Sequence, residues 1–348
     1  MHSSASKSVA SVSTRWLATL LLTLIFGGVR LAAQPTELRL SVETPPSHAR
    51  NLAAQRWVDA IERLSNGELV VRMFPSGQLY DSAGAVKALA SGALDLSVQA
   101  NSTLSRFEPN LSVVALPMFF GATREQVRAI LDGPLGDELW ARLADKGILV
   151  PGGHFEYAPN NTAYTTTTIV RSYEDLRGLK LATPPSPLFV VMLRSIGVFP
   201  VATPRSETVM QLSQGQIDGL GSMTDLTISG GKLWDAGIRY AFRDTAGWGV
   251  YIPLVSEITW NRLTLDQRAA IRRGWEEVEG WARDYTAAEL ASAVETNLAN
   301  GVVSYSPSPE EQQRMRARLI AEQDMLIEQG RMDPAFVARV QARLAELQ

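Results

Sequence analysis

No cysteine occurs anywhere in the 348 residues. That one absence removes disulfides, thiolate metal ligands, cysteine nucleophiles and a lipidated N-terminal cysteine together. Histidine is nearly as scarce, at positions 2, 48 and 154 only. None of the three sits in a metal-ligand spacing such as His-x-x-x-His, and a lone His is far more often a structural hydrogen-bonder than a catalyst. Glycine-dependent signatures are missing as well. Gly230-Gly231-Lys232 lacks the upstream glycine and the hydroxyl residue that a phosphate loop requires, and no Gly-x-Ser-x-Gly elbow is present. Carboxylate pairs such as Glu276-Glu277 fall on a predicted solvated helix face. With no catalytic constellation and no motif that asks for a cofactor or metal, the pattern favours a binding module over an enzyme. There is no excess of basic charge either: 33 Lys and Arg stand against 36 Asp and Glu, a net charge of −3. A mildly acidic chain without a basic stripe is a poor nucleic-acid binder.

Long apolar runs are confined to the start. Lys7 and Arg15 precede an apolar stretch from Trp16 to Val29, and Leu31-Ala32-Ala33 supplies a small-residue exit. A basic start, a short apolar centre and small residues at the end predict a secretory signal peptide over residues 1–33. A membrane anchor is the weaker reading, because a bilayer span needs about 20 apolar residues. The remaining chain is expected to be soluble and exported. Without Lys7, Arg15 and Arg30 the 33 basic side chains fall to 30 against 36 acidic, a balance of −6. Roughly 315 residues can build a core without disulfides, and they fit two domains better than one.

What is present is an α/β alternation. Residues 34–43 place Leu38, Leu40 and Val42 on one face of a first strand. Ala49 to Ser65 carries Ala53, Trp57, Ile61 and Leu64 at helical spacing and stops at Asn66-Gly67. A strand over Glu68 to Phe74, a helix over Ser82 to Ala90 and a strand from Leu94 to Val98 follow. This order describes an α/β lobe with a largely parallel sheet. The same grammar returns with a strand at Leu179 to Leu181 and helices over Pro187 to Ile196 and Glu207 to Ser213. Val86, Leu89, Gly92 and Asp95 recur at identical spacing as Val209, Leu212, Gly215 and Asp218, so two lobes of related construction are expected. Asp95 and Asp218 read as turn-formers. From about Leu263 the chain turns helical, with Ile271, Trp275, Val278 and Trp281 on one side of a helix over Thr264 to Leu298. Charged helices over Glu310 to Gly330 and Asp333 to Gln348 complete the chain.

These residues resemble a known family. Phe74-Pro75-Ser76-Gly77-Gln78-Leu79, followed by Ala88-Leu89-Ala90-Ser91-Gly92-Ala93-Leu94-Asp95, is similar to the first lobe of the DctP-type solute-binding proteins of tripartite ATP-independent periplasmic (TRAP) transporters. Leu116-Pro117-Met118-Phe119-Phe120 looks like that family's Leu-Pro-Phe-Leu-Phe segment. Gly178-Leu179-Lys180, Ser186-Pro187-Leu188-Phe189, Ser206-Glu207 and Gly215-Gln216-Ile217-Asp218-Gly219 follow its order and spacing, and Leu263 to Ile271 resembles its C-terminal helix start. The likeness spans almost the whole chain after residue 33.

The resemblance implies a two-lobed periplasmic-binding-protein fold with hinge strands and a long helix crossing both lobes. Lobe I would cover residues 34–154, completed by about 247–262; lobe II would cover 155–246, and helices over 263–348 would pack across both. It implies a small organic acid, with hydrophobic and aromatic acids among the candidates, buried between the lobes and delivered to a TRAP membrane permease. A ligand sensor that presents its cargo to a membrane receptor, or an exported enzyme on the same scaffold, are the alternatives. The protein is expected as a monomer or a helix-mediated dimer.

Departures from the family pattern set the candidate ligand contacts. The family's carboxylate-binding Arg, two residues after the Lys of Gly-Leu-Lys, is replaced here by Ala182. Arg205 stands where the family has an aromatic, Ser222 where it has Asn, and Asn161 where it often has a second cation. A helix N-terminus is a poor place for a cation. Arg205 therefore reads either as the substitute anchor or as a surface arginine. Trp248 reads as a stacking residue or as core, and Gln99 and Asn101 as ligand hydrogen-bonders or loop caps. Thr224, Asp225 and Tyr251 are positional candidates.

Overall fold

Strand β1 (Thr36–Ser41) alternates as the pattern predicts: Leu38, Leu40 and, just beyond it, Val42 are fully buried. The computed structural model describes residues 34–347, apart from the side chains of Arg205 and Ser206, so the predicted signal peptide lies outside the described residues. Helix α1 (Ala49–Leu64) buries Ala53, Trp57 and Ile61, and the chain leaves it through Asn66 and Gly67 in left-handed conformation (φ 51° and 78°). Strand β2 (Leu69–Phe74), helix α2 (Ser82–Ala90) and strand β3 (Leu96–Ala100) follow, with β1 parallel to both β2 and β3. A short helix α3 (Asn101–Leu104), α4 (Arg124–Leu131), α5 (Pro134–Ala144) and the two-residue β4 (Ile148–Leu149) lead into the long strand β5 (Phe155–Thr165).

The second run of alternation comprises β6 (Lys180–Thr183), α6 (Pro187–Ser195), β7 (Phe199–Ala202), α7 (Arg205–Ser213) and β8 (Gly219–Met223), with β6 parallel to both β7 and β8. Helix α8 (Asp225–Gly230), β9 (Tyr240–Phe242) and the long β10 (Gly247–Ser256) come next. The main sheet runs β2-β1-β3-β10-β5-β8-β6-β7. Two parallel triplets are thus joined through β10 and β5, which are antiparallel to each other and to the triplets they meet. This is a two-lobed α/β architecture with hinge strands. The repeat seen in sequence has one local geometry in both triplets. Gly92 (φ 74°) and Gly215 (φ 65°) close α2 and α7 in left-handed turns. The next residue's N–H reaches back to the helix, Ala93 to the Ala88 carbonyl at 2.8 Å and Gln216 to the Gln211 carbonyl at 3.0 Å.

Helix α9 (Glu257–Arg262) precedes α10 (Leu265–Ala299), whose 35 residues span about 52 Å. Thr264 and Gln267 form its capping box. At one end α10 packs on α1, where the Trp57 and Trp275 rings meet edge-on at 5.2 Å and Trp57 Nε1 donates to the Ile271 carbonyl. At the other end Asn297 Nδ2 donates to the Asp225 carbonyl at the start of α8. The chain then adds β11 (Val303–Tyr305) parallel to β9, a strand the sequence pattern did not suggest. The predicted helix over 310–330 is two helices, α11 (Pro309–Ala321) and α12 (Gln323–Gln329), broken at Glu322 (φ −95°, ψ 1°). The break lets α12 lie against α6, while the last helix, α13 (Pro334–Glu346), reaches α4.

A buried charge cluster pins the start of β5. Glu156 is fully buried and accepts from Arg128 Nε and Nη2 at 3.2 and 2.8 Å. His154 Nε2 lies 3.2 Å and Arg283 Nε 3.9 Å from its Oε1. Burial alone would raise the Glu156 pKa, but His154, Arg128 and Arg283 outweigh it and hold the carboxyl well below its ordinary value. The cluster ties α4, β5 and α10 together.

Candidate functional site

A cavity of about 720 Å³ opens between the two triplets, walled by both and floored by the long strands that join them. The β1-side wall begins in the segment between β1 and α1. Here Arg50, 1% exposed, sits in the first turn of α1. Its Nε donates to Thr44 Oγ1 at 3.2 Å, Nη1 to Gln99 Oε1 at 3.5 Å and Nη2 to Glu43 Oε1 at 3.0 Å. The guanidinium lies over the Tyr251 ring, 5.1 Å from its centroid. Glu43 Oε2 in turn accepts from the Ser82 N–H at 3.1 Å, at the start of α2. Burying a guanidinium costs several kcal/mol unless its charge and donors are met, and this arrangement meets them.

The floor is aromatic and polar. The Tyr157 and Tyr251 rings, from β5 and β10, meet at 4.9 Å. His48 stacks on Tyr157, with Nε2 3.1 Å from the phenol oxygen, and its Nδ1 accepts from the Arg50 N–H at 3.1 Å. His48 is therefore a cap that orients the wall, in line with the structural reading of a lone histidine. Beside them a register shift between Gly249 and Val250 breaks the β10–β5 ladder. The opposite wall is mixed: Pro184 and Pro185 from the β6–α6 turn, Phe189 from the first turn of α6 and Val209 from α7 are apolar, and Thr203, Glu207, Ser222, Thr224 and Thr227 are polar.

Asn101, Ser222, Thr224 and Tyr251 line this cavity. Asn101 Oδ1 accepts from the Val250 N–H at 3.2 Å and its Nδ2 donates to the Leu111 carbonyl, so it also fastens β10 to β3. Ser222 has φ 54°, a left-handed conformation that Asn tolerates better than Ser. That gives a physical reason for the Asn of the family pattern at this place. Thr224 caps α8, its Oγ1 accepting from the Thr227 N–H at 3.1 Å. Arg205 is the first residue of α7, in the turn between the cavity-lining Pro204 and Glu207.

Five candidates lie off the cavity wall. Gln99 is fully buried behind Arg50 and donates to Ser97 Oγ at 2.8 Å. Trp248 faces the core, its Nε1 donating to the Ala122 carbonyl at 2.9 Å. Ala182, 1% exposed, packs among Tyr164, Leu212 and Leu220. Asn161 points to the far side of β5, donating to Tyr164 OH at 2.7 Å; its neighbour Asn160 lines the cavity instead, because successive strand residues face opposite sides. Asp225 is paired with Arg243 at 2.8 Å and accepts from Asn297 Nδ2 at 3.1 Å.

The sequence reading passed over Arg50, Glu43, Tyr157 and Asn160. A signal for Arg50 existed: it is a cation in the first turn of a helix, the same anomaly that singled out Arg205.

Over residues 40–329 the chain matches the DctP family model, the bacterial extracellular solute-binding proteins of family 7. The chain belongs to that family. It is 28% identical over 195 residues to the 2,3-diketo-L-gulonate-binding periplasmic protein YiaO of Escherichia coli, which covers 56% of this chain and 57% of that protein. To the C4-dicarboxylate-binding protein DctB of Bacillus subtilis it is 23% identical over 274 residues, 78% of this chain and 76% of that one. Among solved structures, the sugar acid binding protein of Advenella mimigardefordensis in complex with galactonate superposes with a TM-score of 0.84 at 18% identity, covering 90% of this chain and 99% of that chain. A TRAP periplasmic solute-binding protein of Ralstonia eutropha with bound (S)-2-acetolactate gives 0.82 at 19%, covering 89% and 99%. At these identities the structural likeness establishes the fold of this DctP-family protein, two α/β lobes about a central cleft.

Proposed function

We propose that this DctP-family protein captures a small organic acid in the cavity between its lobes and delivers it, in the periplasm, to the membrane subunits of a TRAP transporter. Lobe I is taken as residues 34–154 with 247–262, lobe II as 155–246, and the region from 263 onward as the packing that spans them. The observation that carries the reading is one cavity walled by both lobes, with the guanidinium of Arg50 buried in one wall. A solute that touches both walls gains its full set of contacts only when the lobes meet, so binding and closure are one equilibrium. Galactonate and acetolactate, bound by the two structural relatives, are both acids.

The walls also favour an acid with an apolar body. Pro184, Pro185, Phe189 and Val209 set apolar surface among the hydroxyls of the wall across from Arg50, room for the apolar part of a ligand whose charged end meets the guanidinium. Arg205, between the cavity-lining Pro204 and Glu207 in the chain, is proposed as a second cation within this reading. A thermal-shift screen with benzoate, 4-hydroxybenzoate, galactonate, succinate and the neutral benzamide tests it. An acid at 100 times its dissociation constant stabilises by about 2.7 kcal/mol. Shifts by acids and none by benzamide are expected; a shift by benzamide alone would refute the acid reading.

A further inference from the structure

Glu43 is held as a carboxylate ligand would be held. One oxygen accepts from the Arg50 guanidinium at 3.0 Å, the other from the Ser82 N–H in the first turn of α2 at 3.1 Å. A guanidinium and a helix-start amide converging on two oxygens is a common donor set for a carboxylate. Ser82 Oγ, buried beside the same carboxylate, has no hydrogen-bond partner. The two charges differ in their exposure. Arg50 is 1% exposed and fixed by Thr44, Gln99 and the Tyr251 ring, whereas the Glu43 side chain is 27% exposed, on the segment that carries Pro45 and Pro46. The cation is enclosed, and the anion borders the cavity.

We infer that Glu43 is a built-in competitor for the carboxylate of the solute, and that an incoming acid displaces it from Arg50 and the Ser82 N–H and engages the unpartnered Ser82 Oγ as well. This rests on the proposal that the solute is an organic acid. It also accounts for the charge of the wall. Among the described lining residues the acids Glu43, Asp81 and Glu207 oppose Arg50 and Arg106. An anion entering that field gains if one acid leaves as it arrives. Arg50 then supplies, from lobe I, the guanidinium missing at Ala182, and Glu43 sets how tightly an acid binds.

The test is a double-mutant cycle read by calorimetry with benzoate, 4-hydroxybenzoate, galactonate and succinate. Glu43→Gln keeps the shape and removes the competing charge. It is expected to bind at least one of these acids tenfold or more tighter than the unmodified protein. Arg50→Met is expected to weaken the same acid at least tenfold, and Glu43→Gln to give no gain in the Arg50→Met background. The Arg50→Met/Glu43→Gln pair leaves no unpaired buried charge, so it remains informative if Arg50→Met alone does not fold. An unchanged or weaker affinity in Glu43→Gln, or a gain that persists without Arg50, would overturn the inference while leaving the acid reading intact. Failure of all four acids to bind either the unmodified protein or Glu43→Gln would overturn both.

Discussion

Asp95 and Asp218 make the same bond in the two lobes: Asp95 Oδ2 accepts from the Arg39 N–H, and Asp218 Oδ2 from the Lys180 N–H, each at 2.8 Å. Each aspartate's own N–H returns to the carbonyl of the same residue, at 3.3 Å for Arg39 and 2.8 Å for Lys180. The aspartate that follows the glycine turn thus clips the returning chain to the strand of its own lobe that it will join or flank. Only Asp95 has more to hold, since its Oδ1 accepts from Thr259 Oγ1 and Arg262 Nη2, both at 2.6 Å. Asp218→Ala should therefore cost about 1–2 kcal/mol, one hydrogen bond's worth, and Asp95→Ala about 2–4 kcal/mol, because it removes several bonds and strands the buried Thr259 hydroxyl. Urea midpoints of the two variants check the ratio; equal losses would refute the asymmetry.

Glu156→Gln is expected to cost about 3–5 kcal/mol at neutral pH, since the guanidiniums of Arg128 and Arg283 then lose a buried counter-charge. The folded protein holds the Glu156 carboxyl below its ordinary value of 4.5. The stability it contributes is therefore complete above that value and is lost as pH falls toward the folded pKa. Denaturation curves at pH 7 and pH 3 should show the gap between the variant and the unmodified protein narrowing in acid. A constant gap would mean that the loss comes from packing instead.

Asp244 carries the opposite sign. It is 1% exposed, and burial pushes its pKa up to about 6, against hydrogen bonds from the Thr162 hydroxyl and N–H. With the folded pKa above the ordinary value of 3.8, the folded state keeps a proton that the unfolded chain has released. Stability from this group falls as pH rises through the interval from 3.8 to about 6. Asp244→Asn should gain on the unmodified protein by on the order of 2–3 kcal/mol between pH 4 and pH 7. Thermal melts across that range decide it, and a gain that shrinks with rising pH would contradict it.

Ala182→Arg restores the family's arginine in sequence but not in space. Ala182 is on the β6 face that packs against Tyr164, Leu212 and Leu220. A guanidinium there is overpacked and unpaired, so a loss of about 3 kcal/mol or more is expected, with no tighter binding of acids. Calorimetry on the folded fraction separates this from a true ligand anchor.

Much of the fold could be read from residue order because its signals are local. The helix over Ser82 to Ala90, the stop at Asn66-Gly67 and the paired glycine turns depend on neighbours a few residues away. The site was less legible because it depends on which way a strand faces. Asn160 and Asn161 are adjacent and alike in type, and only the pairing of β5 with β10 assigns the first to the cavity and the second to Tyr164. Trp248 was ambiguous for the same reason, one residue before the register shift at Gly249 and Val250. Arg50 needed a different kind of information: its partners Glu43 and Gln99 come from separate segments, and no spacing in the sequence announces that they meet.

The long helix α10 is fastened to α1 near one end, through Trp57 and Trp275, and to α8 at the other, through Asn297 and Asp225. A rod anchored at two points fixes the distance between its anchorages. Sliding one lobe past the other would shear both attachments at once, and a third tie, from Arg283 and Thr286 to the start of β5, braces the middle of the rod. Helix α10 is accordingly a strut common to both lobes, against which any movement of one relative to the other is braced.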